Sequence, residues 1–327
     1  MTIKNLGRRA VLGLSSIALA AGLLGSSVAM AQDVTIPIIV KDTTSFYWQI
    51  VLAGARQAGK DLGVNVPELG AQAETDINGQ ISILENAVSG NPAAIVISPT
   101  ERSALGAPIT EAAASVPIVG IDSSADSDAF SSFLTTDNVQ GGRIAADGLV
   151  AAIKAATGKE EGDVALITSV PNAGSLEERR QGFMEQLAAY PGIKLVADKY
   201  ADGQAATGLN ITTDLLTANP NLVGIFASNL IMAQGAGQAL AENGAAEKVA
   251  LIGFDSDEKL VSFLKDGTID GLVVQDPFRM GYDGIKTALA VSKGETVEKF
   301  VDTGANLITT ANMDEARSQE LLNPKVN

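Results

Sequence analysis

The sequence predicts an α/β fold of two similar lobes, each a doubly wound parallel sheet with helices on both faces. Three observations carry this expectation. Short apolar runs alternate with helical patterns along nearly the whole chain, which is how parallel strands joined by crossover helices read. Asn91-Pro92 and Asn219-Pro220 each open the same series of strand, helix and strand, ending Gly120-Ile121-Asp122-Ser123 in one case and Gly253-Phe254-Asp255-Ser256 in the other. The chain of 327 residues also exceeds what one core usually serves.

Taken in order, the first element is not part of the fold. Lys4, Arg8 and Arg9 make a basic start, Ala10 to Leu24 is apolar, and Ala29-Met30-Ala31 offers small residues for cleavage, so residues 1–31 read as an export signal. The paired arginines suit the twin-arginine route, and they serve an ordinary secretory signal as well. With no cysteine in the chain there is no disulfide framework and no acylated anchor. The expected product is a freely diffusing periplasmic protein, cleaved after Ala31 and not lipid-anchored.

Beyond the signal, strands are expected over residues 35–40, 93–98, 117–121, 164–169, 195–201, 222–227, 249–253 and 272–275, where apolar and β-branched residues run together. Between them the period changes to that of a helix. Ile77, Ile81, Leu84 and Val88 fall on one face, and similar patterns cover 48–62, 141–157, 176–189, 206–217 and 281–292. Gly63 and Gly244 stand where helices should end in a left-handed cap.

One stretch stands out. Phe46-Tyr47-Trp48 puts three aromatics, including the sole tryptophan, just after the first strand in a chain only 4% aromatic. A hydrophobic staple for the following helix would explain one of them. Three together, with polar Asp42 to Ser45 beside them and at the strand's carboxyl end where α/β ligand clefts lie, point to a binding surface.

Composition excludes several classes. A net charge of −15 argues against a nucleic-acid partner, whose phosphates need a basic footprint. The chain contains no histidine, the commonest general base and metal ligand, and no Walker loop or Gly-x-Ser-x-Gly elbow. Gly235-Ala236-Gly237 lacks the third glycine of a dinucleotide fingerprint and reads as close packing of a helix. No cofactor and no metal are expected, and composition leaves a carboxylate-pair glycosidase open.

Ser98-Pro99-Thr100, Gly120-Ile121-Asp122, Thr136-Asp137-Asn138-Val139-x-Gly141-Gly142, Glu178-Arg179-Arg180-x-Gly182-Phe183, Gly253-Phe254-Asp255 and Gln275-Asp276-Pro277 follow one another in an order and spacing that resembles the periplasmic sugar-binding proteins of ABC importers. The resemblance is to the ribose-binding type with the type I periplasmic binding protein fold, related to the sensor domains of LacI-family repressors, and it covers essentially the whole chain after the signal. It implies a ligand held between two lobes joined by a three-segment hinge. The first lobe would be 32–135 with 276–303 and the second 137–275 with 304–327. The resemblance places the aromatic stack at Tyr47 and Trp48, or at Phe46 through a one-residue slip, and the polar contacts at Asp122, Arg179, Asn229, Asp255 and Gln275.

Four departures from the ribose-binding pattern bear on the ligand. Ser123 stands where that type has an arginine, Ser98 where it has an asparagine, Ser45 where it has another polar residue, and Gly203 where it has an aromatic. A changed set of donors and rings implies a changed hydroxyl pattern, so another pentose, a hexose or a linear polyol is expected. The resemblance implies a monomer that performs no chemistry and whose partners are the permease subunits of an ABC importer and, further, a chemoreceptor. Two other readings remain: an autoinducer-2 or chemotaxis signal receptor of the same fold, and a secreted carboxylate-pair carbohydrate-active enzyme.

Overall fold

A computed structural model describes residues 34–324 and Val326. The export-signal reading falls on residues 1–31, outside the described residues.

The first sheet contains β1 (Ile38–Asp42), β2 (Glu68–Ala71), β3 (Ile95–Ile97), β4 (Ile118–Ile121), β5 (Ser132–Thr135) and β11 (Phe300–Asp302) in the order β11-β5-β4-β3-β1-β2. All its pairings are parallel. Helices α1 (Phe46–Leu62), α2 (Ile77–Ser89), α3 (Gly106–Ala113) and α9 (Pro277–Ser292) cover it.

The second sheet repeats the arrangement with β6 (Gly162–Thr168), β7 (Ile193–Tyr200), β8 (Leu222–Ala227), β9 (Ala250–Phe254), β10 (Gly271–Gln275) and β12 (Ala305–Ile308), in the order β12-β10-β9-β8-β6-β7. Only the edge pair β10 and β12 is antiparallel. Its helices are α4 (Asn138–Thr157), α5 (Gly174–Leu187), α6 (Ala205–Ala218), α7 (Leu230–Asn243), α8 (Glu258–Asp266) and α10 (Ala316–Leu322). The expected fold class is therefore borne out: two doubly wound lobes of matching strand order.

Interior strands such as β1, β3, β4, β9 and β10 are buried at every residue, because helices lie on both faces. This is why they read as unbroken apolar runs rather than alternating ones. The helix expected between the strands at 93–98 and 117–121 is α3, and the elements without a sequence expectation are β2, β5, β11, β12, α8 and α10. β2 and β11 are sheet edges of three or four residues with exposed positions, Phe300 among them at 54% exposure. Helix α9 starts at Pro277 rather than 281 because proline at the first helical position lacks only an amide that has no intrahelical partner there, and Asp276 caps the turn.

Two of the glycine motifs owe their residue type to helix contact. A side chain at Gly142 of α4 would collide with the Arg179 carbonyl of α5, and one at Gly182 of α5 with the Val139 carbonyl of α4. The glycines let the two backbones touch, which seats Arg179 beside α4. Gly235 meets the Ala205 carbonyl of α6 in the same way, so Gly235-Ala236-Gly237 is close packing of a helix.

The chain passes between the sheets after β5, after β10 and after β11. The three crossings lie side by side. The Thr136 hydroxyl donates to Gln275 Oε1 at 2.8 Å and the Thr303 amide to the Thr135 carbonyl at 2.8 Å.

Candidate functional site

The carboxyl ends of both sheets face a cavity of about 400 Å³, a volume that includes its opening to solvent. Lys41, Ser45, Tyr47, Trp48, Glu74 and Asp122 line it from the first lobe, Ser175, Leu176, Arg179, Asn229, Leu230, Ile231 and Asp255 from the second, and Gln275 at a crossing.

Asp122 and Asp255 are equivalent residues of the two lobes. Each follows its strand with a left-handed backbone, φ 59° at Asp122 and 69° at Asp255. Each amide bonds a carbonyl of the next strand, Leu134 at 3.0 Å and Val273 at 2.8 Å. Aspartate tolerates this conformation better than most residues, and the turn swings its carboxylate off the sheet. The repeated Gly-apolar-Asp-Ser string is thus the sequence trace of one local device used twice.

Their surroundings differ. Asp122 accepts the Tyr47 hydroxyl at 2.9 Å and the Ser98 hydroxyl at 3.1 Å, and pairs with the Lys41 ammonium at 3.0 Å, both side chains only 4% exposed. Burial by itself would raise its pKa. The charges of Lys41 and then Arg179, with hydrogen bonds from Lys41 and Tyr47, outweigh burial and hold the carboxyl below the usual aspartate value. Asp255 accepts Gln275 Nε2 at 2.7 Å and the Leu230 amide at 3.3 Å. Here burial dominates and pushes the pKa up, against Arg179 and the Gln275 hydrogen bond.

Arg179 is buried, donating from Nε to Asn138 Oδ1 and from Nη1 to the Ser228 carbonyl, both at 2.9 Å, with its guanidinium 3.7 Å from the centre of the Phe254 ring. It forms no ion pair among the described residues, so its charge acts on both aspartates across the cavity. Asn229 caps α7 through Oδ1, which accepts the Met232 amide at 3.0 Å, and its Nδ2 makes no hydrogen bond among the described residues. The cap and an outward donor thus coexist in one side chain.

Tyr47 and Trp48 stand edge to face, ring centres 4.9 Å apart, as one wall. The Trp48 indole N–H donates to Glu74 Oε1 at 2.9 Å, and Lys41 Nζ lies 5.6 Å from the indole ring centre. Burial, then the Asp122 and Asp255 charges, raise the Tyr47 phenol well above its ordinary value, so it stays a hydroxyl. Burial also raises Glu74.

Three of the residues expected to touch ligand lie outside the cavity lining. Phe46 packs half-buried against the core. Consecutive helical residues point about 100° apart, so three adjacent aromatics cannot share one face. Ser98 stands behind Asp122 as a donor to it. Ser123 closes the seam between lobes: its Oγ accepts the Lys41 ammonium and the Ser175 amide, both at 3.0 Å, and donates to Ser175 Oγ at 3.1 Å. Nearby the Arg102 amide donates to the Asn172 carbonyl at 3.0 Å.

Two charged residues escaped the sequence analysis. Lys41 is a lysine set directly behind the apolar run of β1, and that position was a readable signal. It supplies a cation beside Asp122, next to Ser123, the position where the ribose-binding type carries an arginine. Glu74 comes from the turn between β2 and α2, and nothing local marks it. No group of side chains suited to a metal ion occurs among the described residues.

The cavity combines ammonium, guanidinium and amide donors with carboxylate acceptors and two ring faces. A hydroxyl both donates and accepts, so this mixture matches a compact polyhydroxy solute. A two-lobed α/β fold with such a cavity closed between its strand ends defines a solute receptor.

The chain belongs to the periplasmic binding protein family: residues 36–296 match the periplasmic binding protein domain. The ribose import binding protein of Salmonella typhimurium is 30% identical over 285 residues, 87% of this chain and 92% of that protein. A carbohydrate transporter solute-binding protein from Agrobacterium radiobacter, solved in complex with D-arabinose, is 76% identical, covering 90% of this chain and all of the other with a TM-score of 0.89. An ABC transporter solute-binding protein from Agrobacterium vitis with bound D-fucose is 38% identical over 88% of this chain and 99% of its own, with a TM-score of 0.84. The resemblance to the ribose-binding type is borne out.

Proposed function

We propose that this protein is a periplasmic receptor that captures a monosaccharide, first among them D-arabinose, between its lobes and delivers it to the permease of an ABC importer. The observation that carries the reading is the cavity itself, where Arg179 and Asn229 Nδ2 offer donors opposite Asp122 and Asp255 and beside the Tyr47–Trp48 wall. The relative bound to D-arabinose supports the choice of sugar.

In this reading Ser45, Tyr47, Trp48, Asp122, Arg179, Asn229, Asp255 and Gln275 contact the ligand, while Ser98 and Ser123 hold those contacts in place. The crossings near Thr136, Gln275-Asp276 and Thr303 are the hinge, residues 1–31 are the export signal cleaved after Ala31, and the mature receptor is a monomer that releases its ligand unchanged.

Calorimetric titration with D-arabinose, D-ribose, D-fucose and D-allose tests this. Expected is one site per chain with D-arabinose tightest, a change in the emission of Trp48, and recovery of unaltered sugar. Absence of binding to every sugar, or any protein-dependent product, would overturn it.

A further inference from the structure

Glu74 is the third carboxylate of the cavity, beside Asp122 and Asp255. It sits in a turn and has no counterpart in the pair of aspartates that follow β4 and β9. Its Oε1 accepts the Trp48 indole N–H at 2.9 Å, and its Oε2 makes no hydrogen bond or ion pair among the described residues.

The other cavity carboxylates are different. Both oxygens of Asp122 are engaged, by Tyr47 on one side and by Ser98 and Lys41 on the other. Both oxygens of Asp255 are engaged, by Gln275 and by the Leu230 amide. Lys41, the nearest cation on the same wall, is committed to Asp122 and Ser123 and forms no ion pair with Glu74. Glu74 Oε2 is therefore the only carboxylate oxygen of the cavity lining without a protein donor. Glu74 is only partly buried, so Oε2 loses its remaining water when a ligand covers it; a matching ligand O–H then binds strongly and its absence is penalised, because the covered acceptor bears the cost of lost solvation.

We propose that Glu74 is a specificity-determining residue: Oε2 accepts the proton of one ligand hydroxyl while Oε1, through the indole N–H, sets the plane of Trp48 against the C–H face of the same sugar. Hydroxyl recognition and ring stacking then depend on a single side chain. The inference deepens the receptor reading above and rests on it.

The test compares the full-length mature protein with Glu74→Gln and Glu74→Ala, titrating each with D-arabinose and its 2-, 3- and 4-deoxy analogues and following Trp48 emission. Glu74→Gln, which keeps an acceptor for the indole, is expected to lose about 10- to 100-fold in affinity for D-arabinose. Wild type is expected to lose a similar factor for one deoxy analogue only, and the variant to bind that analogue as weakly as it binds D-arabinose. Equal melting temperatures of wild type and Glu74→Gln without sugar establish that the fold is intact, and Glu74→Ala is expected to shift Trp48 emission even without ligand. A Glu74→Gln affinity within twofold of wild type overturns the proposal. A loss of the same factor for D-arabinose and every analogue also overturns it, since Glu74 would then act on Trp48 alone. Failure of wild type to bind any of these sugars overturns the receptor reading itself, a result distinct from both.

Discussion

Asp122 and Asp255 occupy matching positions, yet only Asp122 has a cation in contact. That asymmetry gives Asp122 a structural role that Asp255 lacks. Removing its charge with Asp122→Asn leaves the Lys41 ammonium buried without a counter-charge, and the expected cost is about 3–5 kcal/mol of unfolding free energy, measured by urea titration. Replacing both partners, as in Lys41→Met with Asp122→Leu, is expected to recover most of that loss because no buried charge remains. The folded pKa of Asp122 is depressed, so in acid the unfolded chain takes up the proton first. The gap between wild type and Asp122→Asn is thus full above the ordinary aspartate value of about 3.9 and closes as the pH falls through the lower, folded value. Asp122 was legible in the sequence because an aspartate after an apolar strand repeats half a chain later. Its partner left only a charge directly behind an apolar run, because a lysine in β1 becomes a cavity residue when β1 and β4 flank β3 in one sheet, a pairing no local pattern displays.

Among elements, helix α5 joins site and lobe closure. Its contact with α4 places Arg179, and its amino end meets the first lobe at the Ser123–Ser175 bonds. A Cβ on Gly174 would lie 2.6 Å from Ser124 Oγ and 2.9 Å from the Ser124 amide nitrogen and carbonyl oxygen, all in the opposite lobe. Gly174→Ala is expected to leave the melting temperature of the sugar-free protein unchanged or higher, since alanine is the better helix former. Its affinity for D-arabinose is expected to fall about tenfold or more, the equivalent of ~1.4 kcal/mol withheld from the closed form. Calorimetry beside a thermal melt separates the two effects, and a variant that loses stability but binds normally would contradict this role. The elements that frame the cavity were the legible ones, because strands buried on both faces spell themselves in consecutive apolar residues. Edge strands β2 and β11 were not, being short and exposed, and the turn that carries Glu74 follows one of them.

At the scale of the whole molecule, the structure has its lobes in contact, and the contacts are few and individually weak. Across the seam run the Arg102–Asn172 backbone bond, the Ser123–Ser175 bonds, a bond from the Ser124 hydroxyl to Glu178 Oε1 at 3.3 Å, and a pair between Arg102 and Glu178 at 3.7 Å whose arginine is 41% exposed. An exposed pair of that length contributes between nothing and about 1 kcal/mol, and each neutral hydrogen bond about 0.5–1.5 kcal/mol. Against these stands the dehydration of Arg179, Asp122, Asp255 and Glu74, which face one another only when the lobes meet. A hydroxylated ligand replaces the lost water at all of them together, so closure is expected to depend on sugar, with the three crossings absorbing the backbone change. X-ray scattering in solution reads this directly. With saturating D-arabinose the radius of gyration is expected near the ~19 Å of a compact chain of this size, and without sugar it is expected to be larger. The melting temperature should rise in parallel, by the equivalent of about 2.7 kcal/mol at a sugar concentration 100 times the dissociation constant. Gly174→Ala, which obstructs the seam, should keep the larger radius at sugar concentrations that close the wild type. An identical radius with and without bound sugar would mean that the seam contacts alone hold the lobes together, and that the charged cavity is stable closed without its ligand.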